Sequence, residues 1–216
     1  LFDHELLATE PVCIPQTPQR VAVQDLAAME LMYMLDIKPT AVAQDWVAAL
    51  FPTLPDPYGT VITDYFADVA NFGGFELNLE ALLETDPDII LINMFYGPDE
   101  DTLAAISEIA PVVAVDSIFW KEITPLFGDA LGVEAEANGL VDAYEARIDA
   151  LNVAADGQLA GREATLVMIA DDGTVSAHLP GGISWVALDD VGFIPPSGLP
   201  QSAEETFDQF EAMRIR

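Results

Sequence analysis

One stretch of the chain, from position 78 to position 117, constrains the fold more than any other. It reads NLEALLETDPDIILINMFYGPDEDTLAAISEIAPVVAVDS. Two short runs within it, 89–92 and 112–115, contain only isoleucine, leucine, valine and alanine. Uninterrupted apolar runs of this kind are typical of strands that are buried on both faces of a parallel sheet. The stretch therefore predicts an α/β protein with a parallel sheet.

A helical pattern precedes each of these two strands. Asn78 is a good N-cap, and the leucines at 79, 82 and 83 give one apolar helical face. Pro87 ends this helix, because the residue before a proline is disfavoured in the α conformation. A second helix, at about 100–109, ends before Pro111. Helix–strand–helix–strand with short connections predicts that the two strands are parallel.

The chain before position 78 begins in the same way and then becomes irregular. We predict a strand at 20–23, a helix at 26–35 with Asp25 as its N-cap, and a strand at 40–43. Residues 44–75 combine aromatic residues, prolines and the pair Gly73-Gly74 without a clear periodicity. Their aromatic side chains either form a satellite core or line a ligand site. The glycine pair lacks a phosphate-loop motif and predicts a tight turn.

The order and spacing of these segments resemble those of a known family. NLEALLETDPDIILIN is similar to the middle of the N-terminal lobe of ABC-transporter substrate-binding proteins, in the helical-backbone branch that carries ferric siderophores, haem or cobalamin. PQTPQRVAVQDLAAMELMYMLDIKPTAVA resembles the start of that lobe. FWKEITPLFGDALGVEAEANGLVDAYEARIDAL resembles the long helix that joins the two lobes. The resemblance extends from about residue 3 to residue 151.

The resemblance divides the chain into three predicted parts. Residues 1–118 are the N-terminal α/β lobe, 119–156 a connecting helix interrupted near Gly132, and 157–216 a partial C-terminal lobe. In that last part we predict a buried strand at 164–170, a turn, a short strand at 174–178, and helices at 184–191 and 203–213. The resemblance implies a full second parallel-sheet lobe. We therefore expect the second lobe of this chain to be truncated.

Charge and motifs exclude several classes of protein. The chain has 37 acidic and seven basic residues and a formal net charge of −30, so it cannot neutralise nucleic-acid phosphates. Either it has a solvated surface suited to high salt, or it carries an acidic patch for a cationic partner. No catalytic motif is present, and two distant histidines with one cysteine make a zinc or manganese site improbable on composition. We expect a binding protein, not an enzyme, and no cofactor.

Candidate ligand contacts follow the predicted strands, because open α/β sheets bind ligands beyond the carboxyl ends of their strands. Most are aromatic, which offers apolar contact area and, in tyrosine and tryptophan, a polar group. Phe95 and Phe119 could alternatively cap the core, and His178 could be an ordinary surface histidine. The full predicted set is Gln24, Asp25, Trp46, Phe72, Phe95, Tyr96, Phe119, Trp120 and His178.

The resemblance implies a function. It suggests a periplasmic, monomeric protein that captures a ferric siderophore in a cleft between its lobes and delivers it to an ABC permease at the membrane. Haem or cobalamin binding, and less directly a doubly wound enzyme, are the alternatives. Glu80 matches the family's N-lobe docking acid, although a first-turn glutamate also stabilises its helix. Asp189 is the nearest candidate in the second lobe.

The charge pattern narrows the expected ligand. A ferric tris-catecholate is strongly anionic, and its burial requires paired cations. The predicted ligand loops contain one basic residue, Lys121, while Arg20 begins a strand at the opposite end of the sheet. A neutral ferric hydroxamate needs no such neutralisation. We therefore expect a hydroxamate in preference to a catecholate, with cobalamin as the next neutral candidate.

Overall fold

A computed structural model of the chain describes residues 1–45, 58–74, 76–95, 97–169, 173, 175–182, 185–202 and 205–206. It divides into two compact units, Leu1–Val141 and Asp142–Arg216. The first unit holds all the elements that the forty-residue stretch predicts. Within the described part of the chain, no helix is both long and apolar enough to cross a membrane.

The first unit is built on a five-stranded sheet in which every neighbouring pair is parallel. The spatial order is β3-β2-β1-β4-β5, so β1 lies at the centre and the chain crosses over it between β3 and β4. The α/β fold class is therefore confirmed. The strands are β1 (Val21–Val23), β2 (Ala41–Val42), β3 (Ala70–Asn71), β4 (Ile89–Asn93) and β5 (Val112–Val115).

Helices follow the strands, and several begin where the sequence predicts a cap. The Asp25 carboxylate accepts a hydrogen bond from the Ala28 N–H, and the Asn78 side chain accepts one from the Ala81 N–H. Both contacts satisfy backbone donors that a helix leaves open at its N-terminus. The helices are α1 (Leu26–Met34), α2 (Tyr58–Tyr65), α3 (Leu79–Glu84), α4 (Glu100–Ser107), α5 (Trp120–Leu131) and α6 (Glu134–Ala154).

The core lies on both faces of the central strands. All residues of β1, β2, β4 and β5 are buried, whereas both residues of β3 are exposed at the sheet edge. The opposite edge, at β5, is covered by the N-terminal segment, where the Ala8 N–H donates to the Ala114 carbonyl at 2.8 Å. Covering an edge strand removes a template for unwanted pairing with other chains.

The prediction that 44–75 is irregular is wrong in two places, α2 and β3. α2 contains glycine and several β-branched residues, which have low intrinsic helix propensity, and β3 is only two residues long. Tertiary contacts stabilise this region: the Tyr65 ring packs edge-on against Tyr33 and Phe66, with centroids 5.0 and 4.9 Å apart. Lys38 lies over the same ring and pairs with Asp68 at 3.2 Å. Residues 46–57 lie outside the described part.

The predicted tight turn at Gly73-Gly74 is confirmed, and it depends on Gly73. This residue has φ of +108°, and a Cβ there would lie 2.2 Å from the Glu76 carbonyl oxygen. Gly73→Ala should therefore destabilise the protein by about 1–3 kcal/mol, through both backbone strain and the clash. Urea unfolding measures the change. Gly139→Ala, where a Cβ meets nothing within 4 Å, is the control and should be neutral or stabilising.

The predicted connecting helix is present as two helices. α5 ends at Gly132, whose φ of +75° is the left-handed conformation of a C-cap glycine, and α6 follows with 21 residues. The division between the compact units falls between Val141 and Asp142, inside α6. The predicted lobe boundaries at 118 and 156 remain a prediction.

The second unit differs from its prediction in two respects. Its strands β6 (Leu166–Ile169) and β7 (Val175–His178) form an antiparallel pair, not part of a parallel sheet. The connection between them, 170–174, is short enough for a direct antiparallel return and too short for a parallel crossover. The predicted burial of β6 is also wrong, because Leu166 and Val167 are 38% and 55% exposed. Within the second unit, the described residues do not cover Leu166 and Val167.

The helix predicted at 184–191 is confirmed as α7 (Val186–Val191), which ends at Gly192 with φ of +88°. Trp185 precedes it and is fully buried, and its indole N–H donates to the Asp189 carboxylate at 2.6 Å. Ser202 accepts a hydrogen bond from the Glu205 N–H, as expected of a cap. The body of the predicted helix at 203–213 lies outside the described residues.

Candidate ligand-binding edge of the sheet

The carboxyl ends of all five parallel strands meet at one edge of the first unit, which we call the carboxyl edge. The chain leaves this edge from β1 directly into α1, from β4 into the loop at 94–99, and from β5 into the segment at 116–119. Loops at this edge can vary without disturbing the sheet, which is why such edges carry binding sites. Of the candidate residues of the first unit, Gln24, Asp25, Phe95, Tyr96 and Phe119 belong to these segments, whereas Trp46 and Phe72 follow β2 and β3 in the sequence and Trp120 begins α5.

Three buried polar side chains lie at the centre of the carboxyl edge. Gln24, Asp25 and Asn93 are 1%, 0% and 0% exposed. The Asn93 N–H donates to Gln24 Oε1 at 3.0 Å, and Asn93 Nδ2 donates to Asp25 Oδ2 at 2.9 Å. These contacts compensate the cost of removing an amide and a carboxylate from water.

Gln24 and Asp25 are therefore structural in this arrangement and not surface contacts. Their side chains are directed into the network with Asn93 and the N-terminus of α1, and neither is exposed. This burial favours a structural role over direct contact with a ligand, so their place in the ligand site stays a prediction. They belong to the buried network at the carboxyl edge, together with Asn93.

The aromatic candidates separate into three groups. Phe72 is 0% exposed and belongs to the hydrophobic core, which favours a packing role over its predicted place in a ligand site. Phe95 is 56% exposed, and Phe119 and Trp120 are partly exposed where α5 begins. Trp46 and Tyr96 lie outside the described residues and stay predictions. The carboxyl edge thus presents Phe95, Phe119 and Trp120.

An acidic residue that the sequence reasoning did not single out lies close to Asp25. Burial raises the pKa of the Glu30 carboxyl from 4.5 to about 7, and the negative charge of Asp25 acts in the same direction. Glu30 belongs to α1, which packs against α5. A second, partly buried carboxylate that interacts with Asp25 makes the start of α1 unfavourable for a further negative charge.

The remaining candidates lie elsewhere. His178 ends β7 in the second unit and is partly exposed. Glu80 is exposed in the first turn of α3, at the carboxyl edge, where a negative charge also interacts favourably with the helix dipole. Asp189 is exposed in α7, but its carboxylate accepts the Trp185 hydrogen bond. That contact gives Asp189 a structural role.

A small cavity of about 280 Å³ opens beside Glu80 at the same edge, between the starts of α3 and α4. The sequence reasoning did not identify it. Within the described ranges, no group of three or more histidine, cysteine or acidic residues could hold a metal ion. The cavity is lined by Glu76, Leu77, Leu79, Gly97, Pro98, Asp99 and Thr102.

Asn93 is the central residue that sequence reasoning missed. The available signal was a polar residue at the end of an otherwise apolar strand, IILIN, where a run of this kind usually continues into a loop. A buried asparagine without partners would be costly, so its place at the end of β4 implied neighbours able to bond it. Those neighbours come from β1 and β5, which adjoin β4 in the sheet but not in the chain.

The described part of the chain is an α/β structure whose parallel sheet has exposed or partly exposed aromatic residues at its carboxyl edge. The chain belongs to the periplasmic binding protein family, whose model matches residues 21–196. Members of this family bind substrates and are not enzymes, so the bound molecule is a ligand and not a cofactor.

Solved structures of siderophore-binding proteins share the fold. Staphylococcus aureus SirA, complexed with staphyloferrin B, is 24% identical with a TM-score of 0.75, over 95% of this chain and 67% of SirA. Streptococcus pneumoniae TIGR4 PiaA, in complex with ferrichrome, is 23% identical with a TM-score of 0.65, over 94% of this chain and 68% of PiaA. The Vibrio cholerae catecholate-siderophore binding protein VctP is 20% identical with a TM-score of 0.63, over 88% and 67%.

These three proteins carry different ligands, so the shared fold does not select one. At such identities the likeness establishes the fold alone. The chain spans about two thirds of the length of each of these proteins. No curated protein matches the chain significantly in sequence.

Proposed function

We propose that this protein is the extracytoplasmic substrate-binding component of an ABC importer, and that it binds a ferric siderophore at the carboxyl edge. The supporting observation is the exposure of Phe95, with Phe119 and Trp120 partly exposed, at the same end of the sheet as the buried, hydrogen-bonded side chains of Gln24, Asp25 and Asn93. Family membership supports binding without chemistry and a location outside the cytoplasm. Trp46 and Tyr96 complete the proposed contacts of the first unit, and the protein acts as a monomer.

The finer proposal is a neutral, hydroxamate-type siderophore. Of the basic residues in the first unit, Arg20 pairs with Asp86 at 3.6 Å and Lys38 with Asp68 at 3.2 Å, both at the amino ends of strands. The segments that follow the strands at the carboxyl edge contain one basic residue, Lys121. Asp25 at the N-cap of α1 and Glu30 in its second turn add acidic groups near this end of the sheet, so these segments suit an uncharged ligand better than a polyanion.

Cobalamin is the second candidate, because the same charge argument favours a ligand that needs no arginine neutralisation. Haem is less suited, since its propionates require cationic partners. The direct test is a visible absorption spectrum of the protein recovered from iron-rich medium. Ferric hydroxamate, cobalamin and haem have distinct bands. Recovery without any of these chromophores, together with no binding of them on addition, would contradict the proposed function.

The proposed docking residue gives a separate prediction. Glu80→Arg should leave ligand affinity unchanged and lower uptake several-fold in cells that carry the cognate permease, because a rim charge steers and orients the docking partner. Glu84→Arg is the matched control, since Glu84 is exposed at the other end of the same helix. Equal uptake by the two variants would remove Glu80 from the docking role.

A further inference from the structure

Two asparagines close the carboxyl edge in the same way. Asn93 is the last residue of β4 and Asn71 the last residue of β3. The strand next to each of them runs into a Gln-Asp pair: β1 into Gln24-Asp25, and β2, one residue later, into Gln44-Asp45. We call the two arrangements the Asn93 clasp (Gln24, Asp25, Asn93) and the Asn71 clasp (Gln44, Asp45, Asn71).

The hydrogen bonds of the two clasps correspond. In the Asn71 clasp, Oδ1 accepts from the N–H of Gly73, two residues on, and from the N–H of Gln44 at 3.0 Å each. Nδ2 donates to the Asp45 carboxylate at 2.8 Å. In the Asn93 clasp, Oδ1 likewise accepts from the N–H two residues on, that of Phe95, at 3.0 Å. In both, the asparagine amide joins its own loop to the aspartate of the neighbouring strand.

The Asn93 clasp reaches one strand further. Asn93 Nδ2 also donates to the Ser117 carbonyl at 2.6 Å, in the segment that follows β5. Ser117 Oγ in turn accepts from the Phe119 N–H at 3.1 Å. One side chain therefore connects the end of β1, the loop that carries Phe95 and the segment that carries Phe119 and Trp120.

The Asn93 clasp is also rigid. Asn93 and Asp25 are both 0% exposed, so a rotated amide would leave the buried Asp25 carboxylate and the carbonyl of the partly buried Ser117 without these bonds. The backbone at Gly97 approaches the Asn93 carbonyl oxygen so closely that a Cβ on Gly97 would lie 2.2 Å from it. Close packing and buried bonds of this kind hold side chains in a single geometry, which is what preorganised binding requires.

We propose that Asn93 is the positioning residue of the ligand site: it does not contact the ligand, but it holds Phe95, Phe119 and Trp120 in their binding arrangement by fastening their two segments to Asp25. This inference rests on the proposed function of the carboxyl edge. The exposed Asn71 clasp fastens the ends of β2 and β3 in the same manner.

The test uses the complete chain and Asn93→Asp, which preserves shape. A carboxylate oxygen then replaces Nδ2 and faces both the Asp25 carboxylate and the Ser117 carbonyl. Both hydrogen bonds that Nδ2 donated are therefore lost. We expect faster amide hydrogen exchange at 94–99 and 116–120, and ferrichrome affinity at least about tenfold lower. Asn138→Asp makes the same change in charge on an exposed helical residue whose side chain bonds the Glu134 carbonyl. It should match the unmodified protein.

Rescue separates positioning from general stability. In the double variant Asp25→Asn with Asn93→Asp, the new side-chain amide at position 25 can still accept a hydrogen bond from the Ala28 N–H. It can also donate one to the new carboxylate at position 93. One of the two lost hydrogen bonds is restored. Protection from amide hydrogen exchange and ferrichrome affinity should therefore recover in part, at a temperature where all variants are folded. If Asn93→Asp does not fold, Asp25→Asn alone carries the test, because it places two amide donors face to face.

The outcomes decide the two proposals separately. If Asn93→Asp has the same amide hydrogen exchange rates and the same ferrichrome affinity as Asn138→Asp, the positioning role is overturned. It is also overturned if Asn93→Asp loses affinity and the double variant Asp25→Asn with Asn93→Asp recovers none of it. If the unmodified protein binds no ferric complex, the proposed function fails. In that case the exchange rates at 94–99 and 116–120 still show whether Asn93 holds these two segments.

Discussion

Ferrichrome should quench the tryptophan fluorescence of this protein, and ferric enterobactin should bind at least about a hundredfold more weakly. Ferrichrome is a neutral tris-hydroxamate complex, whereas ferric enterobactin is a strongly anionic tris-catecholate. Burial of the catecholate complex at this edge leaves most of its charge unpaired, since Lys121, in the first turn of α5, is the one basic residue that closely follows any of the five strands, and α1 begins with Asp25 and carries Glu30. Fluorescence titration of both complexes measures the difference.

Two controls separate a local effect from the net charge of −30. Raising the salt concentration screens the long-range field but not a buried contact, so the preference should persist in about 1 M salt. Lys121→Gln should weaken the residual binding of ferric enterobactin and leave ferrichrome unaffected. Tight quenching by ferric enterobactin with none by ferrichrome would contradict the charge argument.

Glu30→Gln should stabilise the protein by up to about 3 kcal/mol at about pH 8 and change it little below about pH 4. The native pKa of Glu30 is raised from 4.5 to about 7, chiefly by burial and secondly by Asp25. The native state therefore holds a proton that the unfolded state has released, and stability falls as the pH rises between these two values. Glutamine removes the cost of the buried charge.

Urea unfolding at the two pH values measures this effect. Glu84→Gln, on the exposed side of α3, is the control and should show no comparable difference in its effect between the two pH values. The unmodified protein should lose stability between about pH 4.5 and pH 7 relative to Glu30→Gln. An equal effect of Glu30→Gln at both pH values would show that Glu30 is not buried with a raised pKa.

Much of the first unit follows from local sequence. The apolar runs in β4 and β5 and the caps Asp25 and Asn78 are recognisable because each depends on neighbours within a few residues. The antiparallel pairing of β6 and β7 differs from the parallel lobe that the resemblance implied, although the short connection at 170–174 favours it. β3 was missed because two residues carry no periodicity.

For the candidate site, too, some features follow from the sequence and others depend on the tertiary structure. The sequence by itself determined that aromatic residues follow the strands, that basic residues are nearly absent there, and that the sheet is parallel. Only the tertiary structure decided that Phe72 is core, that Gln24 and Asp25 are buried, and that Asn93 joins β1, β4 and β5. Composition and local pattern are read along the chain, whereas burial and hydrogen bonding depend on strands that are 68 residues apart in sequence and adjacent in space.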